Sequence, residues 1–228
     1  MIIGINGYAG SGKDTVGKMI QYILTCDNNT YTFEQFRKLF WSSQSGETTN
    51  WEIKKFAGKL KIIASLLTGI PVQDFEDQEF KKTNLGSDWD VINVYKKFLP
   101  IGSRTIEETH QMSVREFLQL LGTDAMRDHL HPNVWVNALF ADYKPEKMSE
   151  KSPSNWVITD VRFPNEAQAI KNRGGIIIRV DRPGYIPINN HPSETALDNW
   201  NFDYKILNAS DIESLQLTID VVLKQIIK

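Results

Sequence analysis

Seven residues, Gly7-Tyr8-Ala9-Gly10-Ser11-Gly12-Lys13, stand between two segments of opposite character. Before them, Met1 to Asn6 carries Ile2, Ile3 and Ile5, a β-branched run with the length and composition of a short buried strand. After them, Val16, Met19, Ile20, Ile23 and Leu24 recur at helical spacing, so Lys13 to Leu24 reads as an amphipathic helix. Glycines let backbone N–H groups turn inward and form a concave nest for phosphate oxygens. The helix start adds about half a positive charge, and Lys13 adds a mobile full one. The pattern G-x-x-x-x-G-K has this meaning only between a strand and a helix, and that context is present. The alternative for the bare pattern is a glycine turn with a surface lysine.

The rest of the chain alternates in the same way. Trp51 to Phe56 reads as a strand and Ala57 to Leu67 as a helix that breaks before Gly69 and Pro71. Asn28 to Asn50 is a polar and aromatic mixture with a loop tip at Ser42-Ser43-Gln44-Ser45-Gly46, and Asp74 to Gly102 reads as short helices and loops. Ser113 caps a helix with Glu116 three residues on, followed by the stripe Val114, Phe117, Leu118 and Leu121. Asn133 to Tyr143 is helical, and Lys144 to Asn155 is an exposed connection. Trp156 to Asp160 is an apolar strand ending in a carboxylate; Pro164 opens a helix that Gly174-Gly175 closes. Ile176 to Val180 and Tyr204 to Leu207 are further strands, and Asp211 to Ile227 is a final helix. Strands alternating with helices predict an α/β fold around a parallel sheet covered on both faces.

Composition narrows the function. Lys and Arg number 26 against 28 Asp and Glu, a net charge of −2, which argues against non-specific binding of a nucleic-acid polymer. Cys26 is the sole cysteine, which excludes an intrachain disulfide and a cysteine zinc site. No apolar run approaches the ~18 residues of a membrane span, and Met1 to Tyr8 lacks the basic and apolar regions of a leader. A soluble, cytoplasmic chain is expected.

Two departures from a plain nucleotide loop carry chemistry. Asp14 stands where Ser or Thr usually offers a hydroxyl to Mg²⁺, and Thr15 follows it. A bare carboxylate beside a triphosphate is repelled, so Asp14 is expected to act through a cation, positioning Mg²⁺ directly or through water. The bland alternative is a first-turn helix charge. Asp160 ends a strand where parallel α/β sheets place ligands, and Arg162 can offer a bidentate guanidinium to a phosphoryl group. Glu166, four residues on, is placed to orient that guanidinium; a surface Asp160–Arg162 pair is the alternative. Trp135 is a candidate base platform or a core residue, and Lys54, Lys55, Lys59 and Lys61 read as a solvated face, with Lys59 a candidate for acceptor phosphate. His191 and Glu194 lie in a Pro- and Asn-rich loop, a candidate lid or a plain surface loop; no histidine spacing suggests a metal.

Gly10-Ser11-Gly12-Lys13-Asp14-Thr15 and Thr159-Asp160-Val161-Arg162-Phe163-Pro164-Asn165-Glu166 resemble the bacteriophage deoxynucleoside monophosphate kinases. Arg115 to Arg127, Val134-Trp135-Val136 and Arg179 to Gly184 are similar as well, from the first strand to about Leu197. The resemblance implies a P-loop NTPase fold, three αβα layers around a central parallel sheet. It also implies a helical acceptor-binding subdomain at about 70–145 and a lid at about 182–197. It implies ATP with Mg²⁺ as phosphoryl donor, a dNMP as acceptor and a homodimer. By motif position it assigns catalysis to Lys13, Asp14, Arg127, Asp160, Arg162 and Glu166, and acceptor binding to Arg127, Trp135, Arg162 and Glu166. ATP phosphates fall to Ala9 through Thr15 with Arg182, and Mg²⁺ to Asp14, Thr15 and Asp160. Phosphomevalonate or dephospho-coenzyme A as acceptor, and a non-transferring ATP-binding switch, are the competing readings.

Overall fold

The computed structural model describes residues 1–26, 31–41, 49–98, 102–143, 155–184 and 192–227. The loop tip expected at Ser42 to Gly46, most of the connection expected at Lys144 to Asn155, and His191 lie outside them. In chain order the elements are β1 (Ile2–Asn6), α1 (Lys13–Thr25), α2 (Phe33–Phe40), β2 (Trp51–Lys54), α3 (Ala57–Thr68), β3 (Val91–Phe98) and β4 (Ser103–His110). There follow α4 (Val114–Gln119), α5 (Val134–Phe140), β5 (Asn155–Ile158), α6 (Pro164–Lys171), β6 (Ile176–Asp181), α7 (Pro192–Thr195), β7 (Tyr204–Leu207) and α8 (Ile212–Ile226). They fall into two compact units, one of residues Met1–Phe56 with Val136–Lys228, the other Ala57–Trp135.

The first unit holds a five-stranded sheet in the order β2-β5-β1-β6-β7, every neighbouring pair parallel. Its faces are divided by the two-residue period of β1. Ile3 and Ile5 join Val16, Met19 and Ile20 of α1 and Leu215, Ile219 and Leu223 of α8 in one core. Gly4 faces the other way, where a Cβ would meet Ile170 of α6 at 2.8 Å and Val161 at 3.1 Å. Helix, sheet and helix therefore make three layers, the α/β arrangement expected from the alternation.

Gly17 lets α1 lie close to the strand ends that carry the site. A Cβ there would come within 2.3 Å of Thr159 Cγ2 and 3.4 Å of Ile5 Cδ1. Gly17→Val is expected to destabilise by about 1–3 kcal/mol, the usual cost of overpacking, although valine forms helix more readily than glycine. Urea unfolding measures it, and an unchanged midpoint would show that the contact is slack.

The second unit packs Ala64, Phe75, Val114 and Phe117 as its core. Short 3₁₀ turns at Asp74–Glu76, Phe80–Lys82 and Ser87–Trp89 match the short helices expected there, but β3 and β4 form an antiparallel hairpin the sequence reading did not contain. Ser113 Oγ accepts from Glu116 N at 3.2 Å, as its capping position predicts, and α4 continues into a π-helical stretch, Leu120–Leu130. The solvated face expected of the nearby lysines does not hold for Lys61. It is 7% exposed and pairs with Glu76, because its turn of α3 faces its own unit's interior.

Candidate active site

The turn after β1 has the backbone its glycines allow. Gly10 and Gly12 take φ of 82° and 90°, where a Cβ would be strained. A Cβ on Gly7 would sit 2.5 Å from Ser11 Oγ and 2.7 Å from Val180 O. Ser11 N donates to Tyr8 O at 3.1 Å, and Asn208 Nδ2 donates to Ser11 O at 2.9 Å, so the loop is clamped from the end of β7. Ser11 Oγ is buried with no hydrogen-bond partner among the described residues. A clamped glycine cradle with an unsatisfied hydroxyl fits an anionic ligand better than a plain turn.

Beneath the loop lies a buried cation that motif spacing did not reveal. The Arg179 guanidinium sits 4.3 Å from the centre of the Tyr8 ring and donates to Asn6 Oδ1 at 2.6 Å and Asp181 Oδ1 at 2.8 Å. Tyr8 OH donates to Asp198 Oδ1 at 2.8 Å, while Arg182 Nη1 reaches Gly10 O at 3.4 Å. These bonds tie β1, β6 and the segment after α7 to one loop.

Lys13 opens α1 and is 8% exposed, its ammonium donating to Tyr8 O at 3.3 Å. Burial first, and then the Arg162 charge, push its pKa below the usual lysine value against the pull of Asp14, Glu194 and Asp160. Phosphate-loop lysine and strand-end cluster thus share one electrostatic site. Asp14 accepts from Thr159 Oγ1 at 3.1 Å and pairs with Lys55 Nζ at 3.2 Å, so Lys55 is not part of a solvated face either. Burial alone would raise the Asp14 pKa; Lys55 and Lys13 outweigh it and hold the carboxyl below the usual range. Thr15 follows in the first turn of α1, half-buried.

Asp160 is buried just beyond β5 and accepts the Phe56 amide at 2.8 Å. Val161 N donates to Ile5 O at 3.1 Å, which holds this segment against β1. Glu166 is buried and accepts from the backbone amides of Arg162 at 2.8 Å and Phe163 at 3.2 Å. This corrects the expected role: Glu166 caps the start of α6 and fixes the Arg162 backbone, because its side chain folds back onto free helix-start donors. The guanidinium of Arg162 meets other acceptors, Ser193 O at 3.0 Å and Glu194 Oε1 at 2.5 Å. Glu194 Oε2 accepts from Ala9 N at 3.3 Å.

In the second unit, Arg127 is buried with Nη1 donating to Pro132 O at 3.4 Å. Trp135 is 4% exposed and its Nε1 donates to Gly122 O at 2.7 Å. An enclosed ring offers no free face for stacking, so the observed packing favours the core role for Trp135. Among the described residues, no group of three or more His, Cys, Asp or Glu side chains is set to hold a metal by itself, and no helix is long and apolar enough to cross a membrane.

The Glu194 carboxyl is also held below the usual range: burial would raise it, and the Arg162 guanidinium, the Ala9 amide and Lys13 prevail. A carboxyl with a depressed folded-state pKa contributes stability that is complete above its unfolded value, about 4.3 for Glu, and is lost as pH falls through the folded value. The thermal midpoint is therefore expected to drop on acidification below about pH 4.3, more steeply in the wild type than in Glu194→Gln. Identical acid limbs would show that the pair contributes nothing to folding.

Residues 59–219 match the family model described as deoxynucleotide monophosphate kinase. That is well over half of the chain. The chain belongs to the deoxynucleotide monophosphate kinase family. It is 24% identical over 250 residues to the deoxynucleoside-5'-monophosphate kinase of Escherichia phage T5, covering 96% of this chain and 94% of that one. It is 37% identical over 107 residues to a putative deoxynucleotide monophosphate kinase of Acanthamoeba polyphaga mimivirus, covering 43% and 55%. It is 31% identical over 114 residues to the deoxynucleotide monophosphate kinase of Enterobacteria phage T4, covering 50% and 46%. The chain thus spans about half the length of two of these relatives and nearly all of the third. The family match starts after the phosphate loop, so the loop geometry is independent support for a kinase. Other phosphorylated acceptors and a non-transferring switch are not favoured by this family.

Proposed function

We propose that this kinase transfers the γ-phosphoryl group of ATP to a deoxynucleoside monophosphate, giving a dNDP and ADP. The observation that supports the reading is the hydrogen-bonded link between the glycine cradle and the segment after β5: Glu194 joins the Ala9 amide to Arg162, and Thr159 donates to Asp14. Two phosphates repel, so transfer needs cations on both and an in-line approach more than it needs covalent help. In this reading the loop from Ala9 to Thr15, with Lys13 and Arg182, holds the donor phosphates; the Ala9 amide is given to Glu194 and the Ser11 amide to Tyr8 O, so the other loop amides do the cradling. An acceptor phosphate oxygen attacks the γ-phosphorus as the bond to the β–γ bridging oxygen breaks, and ADP leaves with the electron pair. Arg162 faces the charge on the group in flight, Glu166 fixes its backbone, and Arg127 takes the acceptor phosphate. Asp14, Thr15 and Asp160 hold Mg²⁺, directly or through water; when bound, the ion neutralises phosphate oxygens. Lys55 occupies Asp14 in the structure, and charge on a bound metal would compete with it. The reading includes a cytoplasmic homodimer, supported by the family resemblance alone.

The test is a coupled ADP-release assay with ATP and Mg²⁺, offering each of the four dNMPs beside AMP, GMP, phosphomevalonate and dephospho-coenzyme A. ADP that depends on at least one dNMP is expected. Release that no dNMP stimulates would sink the reading. Rejection of ribonucleotides is expected to be incomplete, because an apolar wall disfavours an added hydroxyl by only about 10²-fold.

A further inference from the structure

Motif spacing gives Glu194 no role, yet its carboxylate bridges the two halves of the site. One oxygen takes Arg162 Nη1 at 2.5 Å and the other takes the phosphate-loop amide of Ala9 at 3.3 Å. The neighbouring carbonyl, Ser193 O, takes the same Nη1 at 3.0 Å. Two acceptors from α7 thus grip one nitrogen of the guanidinium, while Glu166 holds the amide of the same residue. Among the described residues, Arg162 Nη2 and Nε donate to no protein acceptor, which leaves that edge of the planar fork for two phosphate oxygens. The Glu194 side chain is 8% exposed and that of Arg162 31%. Glu194 is thus the more enclosed partner, and Arg162 keeps part of its side chain exposed.

A surface ion pair would be worth only ~0–1 kcal/mol and would have no reason to reach the phosphate loop. An unheld arginine side chain would have to give up its rotamer freedom at every turnover. We propose that Glu194 is a positioning residue, gripping Arg162 at one nitrogen and tying it to the phosphate loop at Ala9 so that the free guanidinium edge faces the transferred phosphoryl group. The depressed pKa of Glu194 agrees with a carboxylate that stays charged at working pH. The inference rests on the kinase reading above and assigns its arginine a support.

Glu194→Gln keeps the side-chain length and removes the charge. It is expected to lower kcat by about 10²-fold, the scale of an ångström of misplacement, while KM for ATP stays within a few-fold. Glu194→Asp keeps the charge but is too short to span both partners, and it is expected to lose most of kcat as well. In an Arg162→Ala background, Glu194→Gln is expected to cost nothing further, since a positioning residue acts only through what it positions. If the double variant is poorly folded, the single variants give a second readout. Added guanidinium ion should partly restore Arg162→Ala, in which Glu194 is intact, and should leave the Glu194→Gln single variant unrestored, because its own guanidinium is still in place but unheld. The cycle is run on whichever acceptor the wild type phosphorylates, so a wrong acceptor class sinks the reading above and leaves this measurement intact. Losses that multiply, an unchanged kcat, rescue of Glu194→Gln by added guanidinium, or a faster Glu194→Gln enzyme (the mark of a carboxylate blocking the site) would overturn the positioning role.

Discussion

Arg162→Ala is expected to reduce kcat by about 10³–10⁵-fold, the range for an arginine that meets charge in a phosphoryl-transfer transition state. The structure explains why the loss should fall on the chemical step. Arg162 is anchored twice, by its own amide on Glu166 and by Nη1 on Ser193 and Glu194, while its other guanidinium nitrogens donate to no acceptor among the described residues. Arg162→Lys separates geometry from charge: it keeps the cation but loses the planar fork, so it is expected to recover only a small part of the rate. Without Arg162, Glu194 loses the partner that most lowers its pKa, and some loss of thermal stability is expected alongside the catalytic one. Steady-state kinetics with a thermal melt on the same samples decide the matter. Turnover within a few-fold of wild type would return Arg162 to the status of a structural ion pair.

What the sequence made legible follows the range of the interactions involved. β1, the loop and α1 were readable because each is a local pattern: an apolar run, a glycine spacing and a helical period. β5, α6 and β6 were readable for the same reason, with Pro164 at the start of α6 and a positive φ at Gly174 beyond its end. The β3–β4 hairpin was not readable. The described side chains of β3 are exposed, and in β4, which reads Ser-Arg-Thr-Ile-Glu-Glu-Thr-His, every side chain but the half-buried Ile106 is exposed. No buried face means no hydrophobic alternation to detect. α2 left a usable signal that went unread: Thr32 and Gln35 form a capping box, and Phe33, Phe36 and Phe40 follow at helical spacing with Phe36 buried.

The site divides along the same line. The candidate catalytic side chains sit in motifs, but their partners come from distant positions. Lys55 meets Asp14, Glu194 meets Arg162 and Asn208 meets the loop at Ser11, and no local spacing encodes such pairs. Glu166 shows the converse error. Its four-residue spacing suggested a salt bridge to the guanidinium, whereas the open amides at the start of α6 lay nearer and captured the carboxylate.

Lys13→Met is expected to separate stability from activity in opposite directions. The ammonium is enclosed, has a single hydrogen-bond acceptor among the described residues, Tyr8 O, and feels the positive charge of Arg162, so folding works against its charge. Its lowered pKa states the same thing through linkage: the unfolded chain holds that proton more tightly, so at neutral pH the charged lysine is a cost to the folded state. Methionine has a similar reach and no charge to desolvate, so the variant is expected to melt at the same temperature as wild type or above it. Activity should move the other way. A donor aimed at developing phosphate charge is worth about 10²–10³-fold in kcat, and no neutral side chain replaces it. A cation held at the mouth of the cradle against the preference of the fold is a sign of selection for what it binds. Differential scanning calorimetry beside the ADP-release assay tests both halves. A variant that loses several degrees of melting temperature would mean that Lys13 is bound into the fold as a structural cation, and the charge repulsion inferred between Lys13 and Arg162 would be wrong.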